Sequence, residues 1–237
     1  GFPIIRSDKL NITIYAQAAK MLGKTQDPDT GDEEPLGIGL IPFGVSSWFG
    51  PLHFIFEYRS IPEGKFEFSY WNRLYEIERV SFLRNNSNQV VLRTKESQLG
   101  KFGDQNGYFS RVSLDVGAFF EANMAYNNMV GSLWSNDDKK FILEKNQTFL
   151  TSLKLTKSIS RIQSASAFYQ QRNVPNPFKF KYTESTIIGC RLGISMGQGL
   201  VLNYIFRRTF RDYNANGRID GNAETIDITS IETSFTF

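Results

Sequence analysis

Apolar and polar residues alternate with a period of two through much of this sequence, in stretches that tight turns join. In "TIIGCRLGISM", residues 186–196, every second side chain from Ile188 onwards is apolar, and the residues between are small or polar. After the turn "GQG", the stretch "LVLNYIFRRTF" alternates in the same way. Successive side chains of a β-strand point to opposite faces, so the pattern predicts an antiparallel hairpin with one apolar face.

The same construction recurs along the chain. Further hairpins are predicted to turn at Gly50-Pro51, near Phe119 and near Ser158. With a first strand in residues 10–22 and a last strand in residues 225–237, the sequence predicts about ten strands, an even number. No stretch approaches the roughly 20 apolar residues of a membrane-spanning helix. The predicted fold class is therefore all-β, and helical membrane proteins are excluded.

Long polar connections alternate with the tight turns. They carry most of the Asp, Asn, Pro and Gly, and they lie at residues 23–36, 60–106, 131–146, 172–184 and 211–224. Short turns at one end and long loops at the other are typical of membrane β-barrels. A soluble up-and-down barrel predicts no such consistent asymmetry.

The last strand ends on "IETSFTF", with alternating residues up to a terminal aromatic. With Ile231, Thr233, Phe235 and Phe237 in this pattern, the chain resembles Gram-negative outer-membrane β-barrel proteins, closely in the last strand and elsewhere only in architecture. The resemblance implies that these four residues form a signal for the barrel assembly machinery. It also implies residence in the lipid of the bacterial outer membrane.

The expected fold is one domain over residues 1–237, an antiparallel up-and-down transmembrane β-barrel. Short turns would face the periplasm and long loops the cell exterior. The last strand would pair with the first and so remove the sheet edges. Because the sequence starts at Gly1 without an initiator Met, we expect a processed product or the C-terminal part of a longer chain.

The polar faces of the strands would point into the lumen of such a barrel. Both signs of charge are present there, and the predicted lumen-lining residues are Gln17, His53, Glu57, Arg59, Arg111, Asp115, Glu121, Lys154, Arg191, Arg207 and Glu232. A barrel of about ten strands is narrow, so side chains are expected to fill much of it. Two functions stay open: a mostly closed scaffold or interaction protein, and a narrow porin-like channel.

A soluble lipocalin-like barrel that carries an apolar ligand is the alternative fold. It would point apolar residues inward and charged residues outward. The charged residue Arg191 stands between Gly189 and Gly193, opposite an unbroken apolar stripe, and this arrangement favours the membrane barrel.

Residues 60–106 form the longest connection, and connections of this length usually carry a function. Aromatic residues such as Tyr70 and Trp71 alternate there with charged ones such as Glu76 and Glu78. The segment could enter the barrel as a plug, cover its mouth, or extend the wall as a hairpin. It is also the expected contact surface for another envelope or surface protein.

Residues 212–224 resemble the start of a calcium loop. Asp212, Asn214, Asn216 and Asp220 have suitable spacing, and Gly217 stands at the usual glycine position. The position that needs a bidentate acid is Ala223, and Glu224 comes one residue late. A hydrated Asx and glycine turn is therefore the favoured interpretation, with calcium as the alternative.

No catalytic constellation is recognised. The single histidine, His53, follows a short turn and lacks a serine two residues further on, as the outer-membrane phospholipase pattern would require. The net charge of +3 is too small to indicate a nucleic-acid partner. We therefore expect a protein that is not an enzyme and needs no cofactor.

Overall fold

The computed structural model describes residues 1–7, 9–84, 90–117, 119–173, 176, 179, 181–214 and 216–235, with only the backbone of 82–84. Most of the chain forms one antiparallel sheet, which confirms the all-β class. Its eleven strands, in spatial order, are β1 (Phe2–Arg6), β2 (Leu10–Lys20), β5 (Ile38–Phe49), β6 (Leu52–Ile61), β9 (Phe102–Val116), β10 (Phe120–Ser135), β11 (Lys140–Leu155), β12 (Ile162–Arg172), β13 (Thr186–Gly197), β14 (Leu200–Phe210) and β15 (Thr225–Phe235).

The smaller elements lie in the long connections. Two short ribbons are formed by β3 (Lys24–Gln26) with β4 (Glu33–Pro35), and by β7 (Val80–Arg84) with β8 (Val90–Thr94). One helical turn, α1, spans Tyr75–Glu78, and two 3₁₀ turns span Glu96–Lys101 and Gly221–Glu224. Among the described residues, no helix is long and apolar enough to cross a membrane.

Two details of the predicted strand order were wrong. Strand β1 was missed, because it is short and contains Pro3, which cannot donate a ladder hydrogen bond. Residues 131–146 are not a loop: β10 and β11 stay paired without interruption from Phe120 and Leu155 to Ser135 and Lys140. Consecutive apolar residues, as at Phe141 to Leu143, hide the strand period of this segment. With β1 added, the sheet has eleven strands among the described residues rather than an even number.

The predicted hairpin turns are confirmed. Strands β5 and β6, β9 and β10, β11 and β12, and β13 and β14 are joined by residues 50–51, 117–119, 156–161 and 198–199. Gly50, Gly117, Gly197 and Gly199 have φ values of 54°, 58°, 95° and 77°. Because glycine has no Cβ, it adopts this left-handed region without strain, and the chain reverses tightly.

The strand register separates the sheet into two faces. One row of directly paired residues reads Leu52, Leu114, Ala122, Leu153, Ala167, Cys190 and Phe206 across seven strands. The opposite face carries a row of Asp115, Glu121, Lys154, Ser166 and Arg191. We call these the outer face and the inner face. Leu153, Met124 and Phe54 of the outer face are all more than 40% exposed, so this face is apolar and uncovered.

Residues 62–79, which we call the inner segment, lie against the inner face. Phe66 packs on Gly39 of β5, where a Cβ would overlap its ring, and Glu76 pairs with Arg207 of β14. In a flat sheet these strands, seven places apart, would be separated by about 33 Å. Ten residues reach that far only when almost fully extended, and part of this stretch is helical. The sheet therefore curves around the inner segment.

Strands β1 and β15 stand at the two ends of the sheet order. Within the described part of the chain they share no pairing, so the expected closure between the first and last strands is not observed there. Ile231, Thr233 and Phe235 lie on the outer face of β15. Phe237, also assigned to the assembly signal, lies outside the described residues.

Candidate functional site

Four charged residues tie the inner segment to the sheet, two of them buried and two largely buried. Glu67 and Glu78 each pair with both Lys95 and Arg172, and we call these residues the charge quartet. Lys95 Nζ lies 2.9 Å from Glu67 and 3.0 Å from Glu78, and it also donates to the Tyr70 carbonyl at 3.0 Å. Two acids and two bases leave the quartet neutral. Each charge removed from water thus has opposite charges beside it, as burial requires.

A second buried pair lies on the inner face itself. Arg59 Nη2 stands 2.6 Å from the Glu57 carboxylate, and the Tyr15 hydroxyl donates to the same carboxylate at 2.7 Å. The Arg59 guanidinium also lies 3.8 Å from the centre of the Phe109 ring and 4.7 Å from that of Phe68. Arginine stacks well on aromatic faces, so Phe68 of the inner segment is held over the sheet.

Apolar contacts complete the attachment of the inner segment. Phe66 packs with Ile61 and Met129, and all three side chains are buried. Tyr70 packs with Leu36 and Leu99 in a second cluster. The inner segment is therefore a packed part of the fold.

A cavity of about 230 Å³ remains between the inner segment and strands β6 and β9–β12. We call it the inner cavity. Its walls combine apolar side chains such as Phe68, Phe109 and Leu150 with polar ones such as Gln105 and Gln170. Gln170 accepts a hydrogen bond from the Arg73 backbone N–H at 3.2 Å, so it links the inner segment to β12.

All the charged residues predicted to line a lumen fall on the inner face by register, and so does Gln17. Few of them pair with one another. Glu57 pairs with Arg59, and Lys154 stands directly opposite Glu121 on the neighbouring strand. Arg207 pairs instead with Glu76 of the inner segment at 2.6 Å.

His53 has two close neighbours across the turn at residues 50–51. Its Nε2 lies 2.8 Å from the Ser46 hydroxyl, and its ring stacks on Trp48 with 3.8 Å between ring centres. Catalysis by a serine and a histidine normally needs a third group that orients the histidine. Among the described residues, no carboxylate hydrogen-bonds to His53.

The loop that resembles a calcium site uses its oxygens internally. The Asp212 carboxylate accepts from the backbone N–H groups of Asn216 and Gly217, and Asn216 donates its amide to Asp220 at 2.6 Å. In this arrangement the Asp212 and Asp220 oxygens accept N–H groups of the loop itself, as in the hydrated Asx and glycine turn that the sequence favoured. The described residues contain no cluster of three His, Cys, Asp or Glu placed to hold a metal.

Sequence reasoning missed most of the charge quartet. Lys95 and Glu67 stand outside any alternating strand, and Arg172 was placed at the start of a loop rather than at the end of β12. One signal was available, because Glu78 and its neighbours mix charges with aromatic residues in a segment without strand period. Such a segment needs partners for its charges if it folds inside.

A comparison of the sequence with protein-family models and with curated proteins found no match.

Replacing Lys95 by Met should destabilise the protein strongly. Glu67 and Glu78 would then share only Arg172, and breaking a buried ion pair from one side costs about 3–5 kcal/mol. Urea unfolding in detergent, followed by tryptophan fluorescence, measures the change. Lys24→Met is the matched control, because Lys24 and Glu33 form an exposed pair and should contribute little. Equal effects of both variants would contradict a structural role for the quartet.

Tyr70 should make stability fall at high pH. Burial, with nearby acids and Tyr75, raises the pKa of Tyr70 to about 12. In the unfolded chain the phenol ionises near its usual pKa of about 10, so stability is unaffected below that pH and declines between about 10 and 12. Tyr70→Phe should show a shallower decline in unfolding midpoint over this window. Tyr213 is exposed, so Tyr213→Phe should show the same pH dependence of the unfolding midpoint as the wild type. If Tyr70→Phe also shows the wild-type pH dependence, Tyr70 does not cause the decline.

Proposed function

We propose that the chain is an integral β-barrel protein of a bacterial outer membrane, closed inside by its inner segment, which acts as a scaffold for a surface partner. The observation that carries the proposal is the contrast between the two faces of the sheet. The outer face exposes a continuous apolar surface, whereas the inner face holds the charged residues. Membrane barrels have this arrangement, with lipid outside and polar side chains inside.

The same contrast argues against a lipocalin-like carrier. Such a protein would place its apolar residues inward around the ligand. Here the inward side chains include the ion pair of Glu57 and Arg59 and the row of Asp115, Glu121 and Lys154. An apolar outer face of this extent would be exposed to water in a soluble protein, which is unfavourable.

A membrane location requires both sheet edges to be paired. Unpaired backbone N–H and C=O groups are not tolerated in the hydrocarbon core. Strands β1 and β15 must then pair with each other or with further strands of the assembled protein. In this proposal Ile231, Thr233, Phe235 and Phe237 present the last strand to the barrel assembly machinery.

The end with the long connections would meet a partner outside the cell. Trp71 is 75% exposed beside the buried Tyr70, and the β8 residues Val90 and Leu92 are also exposed. Aromatic and apolar side chains held on a packed base are suited to protein contacts. A docking role therefore explains why the inner segment is both anchored inside and displayed outside.

Outer-face substitution tests the membrane location. Met124→Arg should lower the stability of the protein in lipid vesicles by about 2–4 kcal/mol, the usual cost of an arginine facing the middle of a bilayer. Vesicle flotation and heat-modifiable gel mobility measure insertion, and urea titration measures stability. Glu144→Arg, at an exposed position in the upper part of β11, should insert like the wild type. A wild type that stays in water without detergent would favour the soluble carrier instead.

A gated narrow channel is the second candidate, because the inner cavity lies on the inner face beneath the inner segment. Planar-bilayer conductance separates the candidates. If the protein is a scaffold, the wild type should conduct no ionic current. The double variant Glu67→Gln, Glu78→Gln should then pass current, since Lys95 and Arg172 lose both acids and the inner segment is released. The control Glu34→Gln, which removes a partly exposed partner of Lys65, should stay silent. Steady wild-type current would instead assign the channel function.

A further inference from the structure

The inner cavity contains buried polar atoms that the protein does not satisfy. Among the described residues, Gln105 Nε2, Asn72 Oδ1 and Arg111 Nε have no hydrogen-bond partner. All three residues line the inner cavity, and Gln105 is only 1% exposed. Buried polar groups in native proteins almost always have a partner. The atoms therefore indicate a molecule that offers an acceptor to each of the two donors and a donor to Asn72.

The charge around the inner cavity indicates the sign of that molecule. Three charged residues line it. Arg59 is neutralised by Glu57, and Glu67 by the other members of the charge quartet. Arg111 makes no ion pair within the described part of the chain. One uncompensated positive charge at a partly buried site favours a monoanion.

The walls indicate the body of the ligand. Apolar side chains of Phe68, Phe109, Met129 and Leu150 surround the polar atoms. The volume of about 230 Å³ is smaller than the roughly 300–1,000 Å³ of a site for a drug-sized ligand. The occupant must therefore be small, with an apolar body between its polar ends.

We propose that the inner cavity binds a small monocarboxylate with an apolar or aromatic body and one hydrogen-bond donor. The carboxylate accepts from Arg111, since a guanidinium matches carboxylate geometry. Gln105 lies six residues away along β9, about 20 Å from Arg111 between Cα atoms, so it meets the opposite end of the ligand. The body packs on Phe68 and Phe109, and the donor reaches Asn72 Oδ1. This site goes beyond the proposed scaffold function, and binding to it can be measured in detergent whether or not the membrane location is right.

Isothermal titration of the detergent-solubilised protein with 4-hydroxybenzoate, benzoate, benzamide and inorganic phosphate tests the proposal. We expect 4-hydroxybenzoate to bind one site per chain, and neutral benzamide to bind at least ten-fold more weakly. Arg111→Gln should weaken 4-hydroxybenzoate at least ten-fold. Arg191→Gln, on the inner face but outside the inner cavity, should leave binding unchanged.

Asn72→Ala resolves the other end of the ligand. It should reduce the affinity for 4-hydroxybenzoate to that for benzoate, while the affinity for benzoate itself stays the same. Heat-modifiable mobility shows whether each variant is folded. If Arg111→Gln does not fold, Arg111→Lys, which keeps the charge, is measured in its place. The proposal would be overturned if neither acid showed saturable binding, or if phosphate bound equally well. It would also be overturned if substitution of Arg111 left the binding unchanged.

Discussion

The charge quartet is the interaction on which the rest of this structure depends. Lys95 directly follows β8, and Arg172 is the last residue of β12. Glu67 and Glu78 belong to the inner segment. A curved sheet with a polar inner face encloses charges that water no longer solvates well, and each needs a partner there. The quartet supplies such partners to four residues at once. By joining the inner segment to β12, it also fixes how the sheet curves between β5 and β14.

The two faces of the sheet pose opposite physical problems. On the outer face the side chains are apolar and exposed, and a lipid environment would remove the cost of that exposure. On the inner face charged and amide side chains lie among apolar ones such as Phe109 and Leu150, and the partners of the polar groups must come from the protein. Gln105 and Gln170, both 1% exposed, show how closely the inner segment covers this face. The same period of two along each strand produces both faces. A shift of the register by one residue would therefore exchange the side chains of the two faces together.

The hairpins were predictable because their information is local. A glycine turn and a few alternating residues on each side, as at Gly197 and Gly199, determine both register and face. The charge quartet was not predictable, because Glu67 and Arg172 meet across more than a hundred positions of sequence. The prediction for residues 131–146 was wrong for another reason. Apolar residues stand side by side there, as in Phe141, Ile142 and Leu143, so the segment shows no strand period, and its Asn and Asp residues give it the composition of a loop.

Sheet size explains why an inner segment and an unfilled cavity occur together. Eight strands enclose a space that side chains just fill, while open channels need about sixteen. In the proposed barrel, eleven strands would enclose more space than side chains alone can fill, and the inner segment would occupy part of it. What it leaves is the inner cavity, where Arg59 has its own acid but Arg111 does not. A partly buried arginine without an acidic partner is costly for folding alone. An anion in the inner cavity would offset that cost, so the charge of Arg111 is consistent with the proposed ligand.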